Sequence, residues 1–255
     1  MLFGPPSAVR RASFFIVCAC ALVSSACAGR GVFKPEFEYE EELYLALDGS
    51  ATLNVNASVA SLVALRGVAL DPNPRARIDR AAVRALFEGP GVDVSKVSLS
   101  RREGRRFVHV SIQVMDVRRL ALRAPFAWSS YRLDRQGDVI EFRQVVGRSA
   151  GKQVDAGWTG QEIVAFRMHL PSEIPFHNSP TGVQRGNILE WQQPLVERLN
   201  STPLDVQVQL EPESILYTTL LLFGSTVVAA AIAFALLIWW VVRRGRHGEM
   251  AESQS

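Results

Sequence analysis

Phe37-Glu38-Tyr39-Glu40-Glu41-Glu42-Leu43-Tyr44-Leu45-Ala46-Leu47-Asp48-Gly49-Ser50-Ala51-Thr52-Leu53-Asn54-Val55-Asn56-Ala57 is the stretch that decides the fold class. Phe37, Tyr39, Leu43, Leu45 and Leu47 alternate with Glu38, Glu40, Glu42, Tyr44 and Ala46; Leu53, Val55 and Ala57 alternate with Thr52, Asn54 and Asn56. Successive side chains of a strand point to opposite faces, so this period of two predicts two strands, each with one apolar face. Asp48-Gly49 between them is a strong hairpin signal. Glu41 falls on the apolar register near the strand start. The Glu38–Glu42 run reads as a solvated charge run protecting a strand edge, in preference to a calcium site. An amphipathic hairpin must cover a core or lie on another apolar surface.

Working outward, Ser58 caps a predicted helix to Leu65, and a second runs from Asp79 to Glu88 with Ala82, Val83, Leu86 and Phe87 on one face. Gly89-Pro90-Gly91 stops it. Strands follow around Arg102-Glu103-Gly104-Arg105 and Gln136-Gly137-Asp138, with a short helix capped by Asp116 between them. Gly147–Gly160 reads as a long polar loop. Three more strands are expected at Ile163–Leu170, Asn187–Trp191 and Leu204–Leu210. Eight or nine strands with two or three helices give an α+β fold with a mostly antiparallel sheet.

The two ends are apolar. Arg10-Arg11, then Phe14–Val23, then Ser24-Ser25-Ala26-Cys27-Ala28-Gly29 form the basic, apolar and small-residue regions of an export signal over residues 1–28. Cleavage before Gly29 and a lipobox with Cys27 as the lipidated residue are both open. Ile215 to Val242 holds no charge and no proline, which predicts a membrane-spanning helix. Tyr217 at one end and Trp239-Trp240 at the other make an aromatic belt, and Arg243, Arg244 and Arg246 place the 243–255 tail on the cytoplasmic side. Residues 29–214 are then expected outside. Ser225, Ala229 and Ala233 lie at helical spacing and read as part of an alanine-rich span ahead of a helix-packing face.

The chain has 255 residues and a formal charge of +3. The charges before Cys27 and after Val242 account for that excess, so the central domain is formally neutral and nucleic-acid binding is excluded as an expectation. Only three basic residues are Lys, and the arginine excess reads as compositional bias. All three cysteines precede Ala28, which leaves the domain without a disulfide framework or cysteine-ligated zinc. The histidines show no metal-ligand spacing, and neither metal nor cofactor is expected. Gly147-Arg148-Ser149-Ala150-Gly151 matches G-x-S-x-G, with Asp155 and His169 in triad order. No helix pattern follows it and the surrounding sheet reads antiparallel, so a glycine-rich loop is preferred to a nucleophile elbow. Asn56-Ala57-Ser58 and Asn200-Ser201-Thr202 match the glycosylation sequon, which matters only in a eukaryotic secretory setting.

The lipobox-like start, the early hairpin, the exported α+β domain, the final helix with its basic tail, and the segment His177–Trp191 together resemble the LppM family of bacterial envelope proteins. That resemblance implies an envelope domain that binds lipid or glycolipid. The expected function is therefore a non-enzymatic domain held against the lipid bilayer of a bacterial cell. Its lipid or glycolipid would sit in an apolar cavity lined by Leu43, Leu45, Phe87 and Trp158. A filled core and a flat sheet would favour the alternative, a scaffold or accessory subunit binding another envelope protein.

Overall fold

The computed structural model describes residues 37–252. The expected signal peptide with Cys27 lies outside the described residues, as do the side chains of Arg243, Arg244 and Arg246. The fold is α+β, with ten strands in two sheets among the described residues. The larger sheet contains β1 (Phe37–Leu45), β2 (Ala51–Ser58), β3 (Val92–Arg102), β4 (Arg105–Val114), β7 (Ile163–His169) and β9 (Ile188–Pro194), in the order β3-β4-β2-β1-β7-β9. The smaller contains β5 (Ser129–Gln136), β6 (Val139–Val146), β8 (Phe176–His177) and β10 (Leu204–Leu210), in the order β5-β6-β10-β8. All pairs are antiparallel except β1 with β7.

The hairpin forms where Asp48-Gly49 predicts it, pairing Leu43 with Leu53 and Glu41 with Val55. One core cluster joins Tyr39, Leu43 and Leu53 of the larger sheet to Phe142, Val206 and Val208 of the smaller. Helix α1 (Val59–Arg66) starts at Ser58, whose hydroxyl accepts from the Ser61 N–H. It ends at Gly67 in the left-handed region, φ 68°. Helix α2 (Arg80–Phe87) is capped by Asp79, and a 3₁₀ segment Val117–Leu122 by Asp116. Such side-chain acceptors satisfy N–H groups that a first turn leaves without partners. Three elements among the described residues lie beyond the sequence reading: a 3₁₀ turn at Ala124–Phe126, β8, and helix α3 (Leu195–Leu199).

The charge run of β1 requires a correction. β1 is an interior strand between β2 and β7, and Glu38, Glu40 and Glu41 are buried. The parallel partner β7 supplies the missing neighbour from more than a hundred residues along the chain. The expected protected edge is therefore a paired strand whose carboxylates need buried partners. Arginines provide them, which replaces the reading of those arginines as bias alone.

Helix α4 (Ile215–Glu252) follows β10 after four residues. Its Ile215–Trp240 segment is long and apolar enough to cross a membrane, with mean hydropathy 2.5, and its most apolar window buries nothing against the rest of the protein. Tyr217, Trp239 and Trp240 are exposed on it. Its start is tied back by the Ile215 N–H to the Pro171 carbonyl at 3.1 Å and by an antiparallel bridge between Ser172 and Ser214.

Candidate functional site

Three polar regions organise the domain. The first lies between the sheets. Glu41 points inward with Tyr39 and Leu43, accepts from the Tyr39 hydroxyl at 2.6 Å and from Gln144 Nε2 at 3.3 Å, and is ion-paired with Arg66. The Arg66 guanidinium also donates to the Pro125 carbonyl and lies 4.7–4.9 Å from the ring centres of Tyr39, Phe126 and Trp128. Such cation–π contacts strengthen when desolvated. Arg198, fully buried, sits 5.3 Å from the Trp128 ring and donates to the Thr202 and Gly147 carbonyls. Burial pushes the Glu41 carboxyl up to about 8 and the Arg66 guanidinium down to about 9, because each charged form loses its water. Burial raises the Tyr131 phenol too. A cavity of about 10 Å³ lies against Glu41, Leu43, Tyr131 and Gln144, about one water's worth of space. This cluster has no room for a substrate.

The second region is the outer face of the larger sheet. Arg167 lies 2.8 Å from Glu40 and 3.0 Å from Glu190, and His169 lies 2.9 Å from Glu42 and stacks on Tyr44. Asn56 donates to Glu40 at 3.0 Å, and its amide oxygen is 3.0 Å from His109 Nδ1. Arg105 lies 3.3 Å from Glu38, which also accepts from Trp158 Nε1 at 2.9 Å. Burial works to raise Glu42, Glu162 and Glu190, but hydrogen bonds and cationic neighbours outweigh it and hold all three below the usual carboxylate range. The carboxylates of the Glu38–Glu42 run, where a calcium site was set aside, are thus engaged by arginine, histidine, tryptophan, asparagine, tyrosine and glutamine. Among the described residues no group of three or more His, Cys, Asp or Glu is placed to hold a metal.

The third region is an open groove beside the N-terminus of α2. A hollow of about 610 Å³ is lined by Arg77, Ile78, Asp79, Arg80 and Leu99. An adjoining one of about 430 Å³ is lined by Ala76, Arg77, Ile78, Leu99, Ser100, Arg101 and Arg106. Both fall in the size range of small-molecule sites, and their shared Arg77, Ile78 and Leu99 make them one groove. Ile78 and Leu99 are partly buried against the core and form an apolar floor. Arg77, Arg80 and Arg101 are exposed around it. Arg106 holds the 71–76 segment in place by donating to the Asp71 and Ala76 carbonyls, and burial with the nearby Arg101 charge lowers its pKa. Asp79 is occupied as the α2 cap, accepting from the Ala81 N–H at 2.9 Å. The rim is therefore dominated by cationic groups over a greasy base, suited to an anion attached to an apolar body.

The residues expected to line a lipid cavity belong to the packed core: Leu43, Leu45 and Phe87 lie in one cluster and Trp158 packs against it. Leu43 lines the single-water cavity, Leu45 and Phe87 are packed in the core, and Trp158 covers the end of β1 through Glu38. Their side chains serve as packing. Ser149 donates to the Leu199 carbonyl at 3.0 Å and lies 3.4 Å from the Ser201 hydroxyl, while His169 is engaged with Glu42 and Asp155 is exposed. The structure does not bring those three together. The groove was missed because its parts come from a loop and a strand end; the signal available was arginine density at Arg75-Ala76-Arg77 and at Arg101-Arg102 with Arg105-Arg106.

No protein-family model matches the chain. No curated protein matches it either. Among solved structures, the NMR structure of the folded domain of Mycobacterium tuberculosis LppM is similar with a TM-score of 0.40 and 11% identity, over 72% of this chain and 95% of that one. A similarity of that size leaves function to be read from this chain's own residues.

Proposed function

We propose that the chain is a membrane-tethered, non-enzymatic domain of the bacterial envelope that binds an anionic lipid or glycolipid by its headgroup. The observation that carries this reading is the groove in which exposed Arg77, Arg80 and Arg101 surround Ile78 and Leu99. Guanidinium groups match phosphate and carboxylate in pairs of hydrogen bonds, and an apolar floor favours the first carbons of an attached chain. The tether is α4, whose 215–240 segment is followed in sequence by Arg243, Arg244 and Arg246, the order that keeps a tail cytoplasmic and the domain outside.

The test uses the full chain in nanodiscs and native mass spectrometry with dihexanoyl phosphatidylglycerol or dihexanoyl phosphatidylcholine. One phosphatidylglycerol is expected to bind, with affinity at least tenfold above phosphatidylcholine, and Arg77→Ala with Arg101→Ala is expected to abolish the difference. Equal binding of the two lipids, or an unchanged difference in the double variant, overturns the reading.

A second reading has one observation in its favour. The cavity beside Glu41 between the sheets holds about one water, which suits a scaffold binding another envelope protein through the polar outer face of the larger sheet. Retention of a specific membrane protein by the full chain, with no lipid preference, would select it.

A further inference from the structure

We infer that the end of the fold from which α4 departs is itself a bilayer-contact surface, so that the domain rests on the membrane that its helix crosses. This rests on the reading of α4 as the tether. Strands β1 and β7 are parallel, and β4 and β1 are both antiparallel to β2, so β4, β1 and β7 all run the same way. Their last residues, Val114, Leu45 and His169, therefore lie at one end of the larger sheet. The start of α4 is bonded to Pro171, two residues past β7. At strand spacings of about 4.8 Å, β4 and β7 are about 14 Å apart across that end.

Large apolar side chains are exposed there. Met115, directly after β4, is 77% exposed; Tyr44, next to the end of β1, is 40%; Phe176, paired with Gln209 near the end of β10, is 44%. Val196, half exposed, follows β9 at the opposite end of the sheet. Exposed apolar groups at one end of a fold mark a surface that water does not cover in use, and tyrosine favours the headgroup level. The occupant follows from continuity: an apolar helix that leaves this end brings its bilayer to it. The charges at this end lean acidic, with Asp48, Asp138, Glu173, Glu211 and Glu213 against Arg118, Arg119 and Arg135. The contact therefore rests on its apolar groups and gains nothing from anionic lipid.

The experiment places single nitroxide labels on the full chain in phosphatidylcholine nanodiscs, with Cys18, Cys20 and Cys27 replaced by serine. Labels go on Met115→Cys, Phe176→Cys, Val196→Cys and Ala229→Cys, and collision with oxygen is compared with collision with a water-soluble nickel chelate. The Met115 and Phe176 labels are expected to favour oxygen several-fold over the Val196 label, with no increase when phosphatidylglycerol is added. If the Ala229 label favours oxygen while the Met115 and Phe176 labels match Val196, the contact surface is overturned and the tether stands. If the Ala229 label also favours the nickel chelate, the tether falls and the surface with it.

Discussion

Glu41 faces the space between the sheets, while its neighbours Glu38, Glu40 and Glu42 face outward to arginine and histidine. That difference gives the carboxylates opposite effects on stability. Glu41 is raised by burial from 4.5 to about 8. A group with a raised folded pKa contributes stability that is complete below its unfolded value and is lost as pH climbs to the folded one. Glu42, Glu162 and Glu190 are depressed, so their contribution is present above the usual carboxylate range and is lost on acidification. The protein is expected to be most stable near mildly acidic pH. Glu41→Gln, which mimics the protonated acid, is expected to melt close to the parent at pH 5 and to gain on it steadily up to pH 8, by a few kcal/mol at most at roughly 1.4 kcal/mol per unit. Thermal melts of both proteins across that range are the measurement; a constant difference would mean that Glu41 is ionised against Arg66 throughout. The alternation of β1 already put Glu41 on the apolar register, so its inward direction was legible. Its partner was not: Arg66 reaches it from the last turn of a helix, and no local pattern encodes that contact.

At the scale of elements, the caps and turns were the readable part. Ser58 and Asp116 each accept a backbone N–H as the caps their sequence setting suggests, Asp79, read as the first residue of its helix, caps it from one position outside, and Asp48-Gly49 turns the first hairpin. These signals are local and survive without tertiary context. What could not be read was pairing at a distance and elements too short for a period. The β1–β7 pair joins distant segments in parallel, and β8 has two residues. Gly67 shows how a local element is tied to the rest. It ends α1 in the left-handed region at φ 68°, and a Cβ there would meet the Ala150 Cβ at 3.1 Å, where the Ala150 N–H bonds the Leu65 carbonyl at 2.8 Å. Gly137 has a similar φ of 62° but open space around its missing Cβ. Alanine at a left-handed position costs about 1 kcal/mol in conformation alone. Gly137→Ala is expected to lose about that much in urea unfolding, and Gly67→Ala to lose more, because it also pushes against the 147–162 loop. Equal losses would show that the loop yields freely.

For the whole molecule, the two proposals place the groove and the membrane at opposite ends. Leu99 and Arg101 pair with Val108 and Arg106 near the start of β4, whereas Met115 follows its end. Ten residues at about 3.3 Å each separate these ends by roughly 30 Å. A headgroup in the groove is then not one in the leaflet beneath the domain; it belongs to an amphiphile presented from the far side or carried free of the bilayer. The same arrangement says what the helix does for the fold. The most apolar window of α4 buries nothing against the domain, and the helix start is tied to it by bonds to Pro171 and the Ser172 bridge. A chain ending at Ser214 should therefore keep the core, the Glu41–Arg66 pair and the groove. It is expected to melt within a few degrees of the full chain. With α4 gone, the exposed rim around Met115 and Phe176 becomes the remaining hold on lipid, so the shortened chain is expected to associate weakly with phosphatidylcholine vesicles in flotation. Association should persist in high salt, since screening weakens charge contacts and leaves apolar ones, and it should fall several-fold in Met115→Glu at an unchanged melting temperature. A shortened chain that unfolds on losing α4 would show that the helix start is part of the core; one that floats only with phosphatidylglycerol would move the contact from the apolar rim to the arginines of the groove.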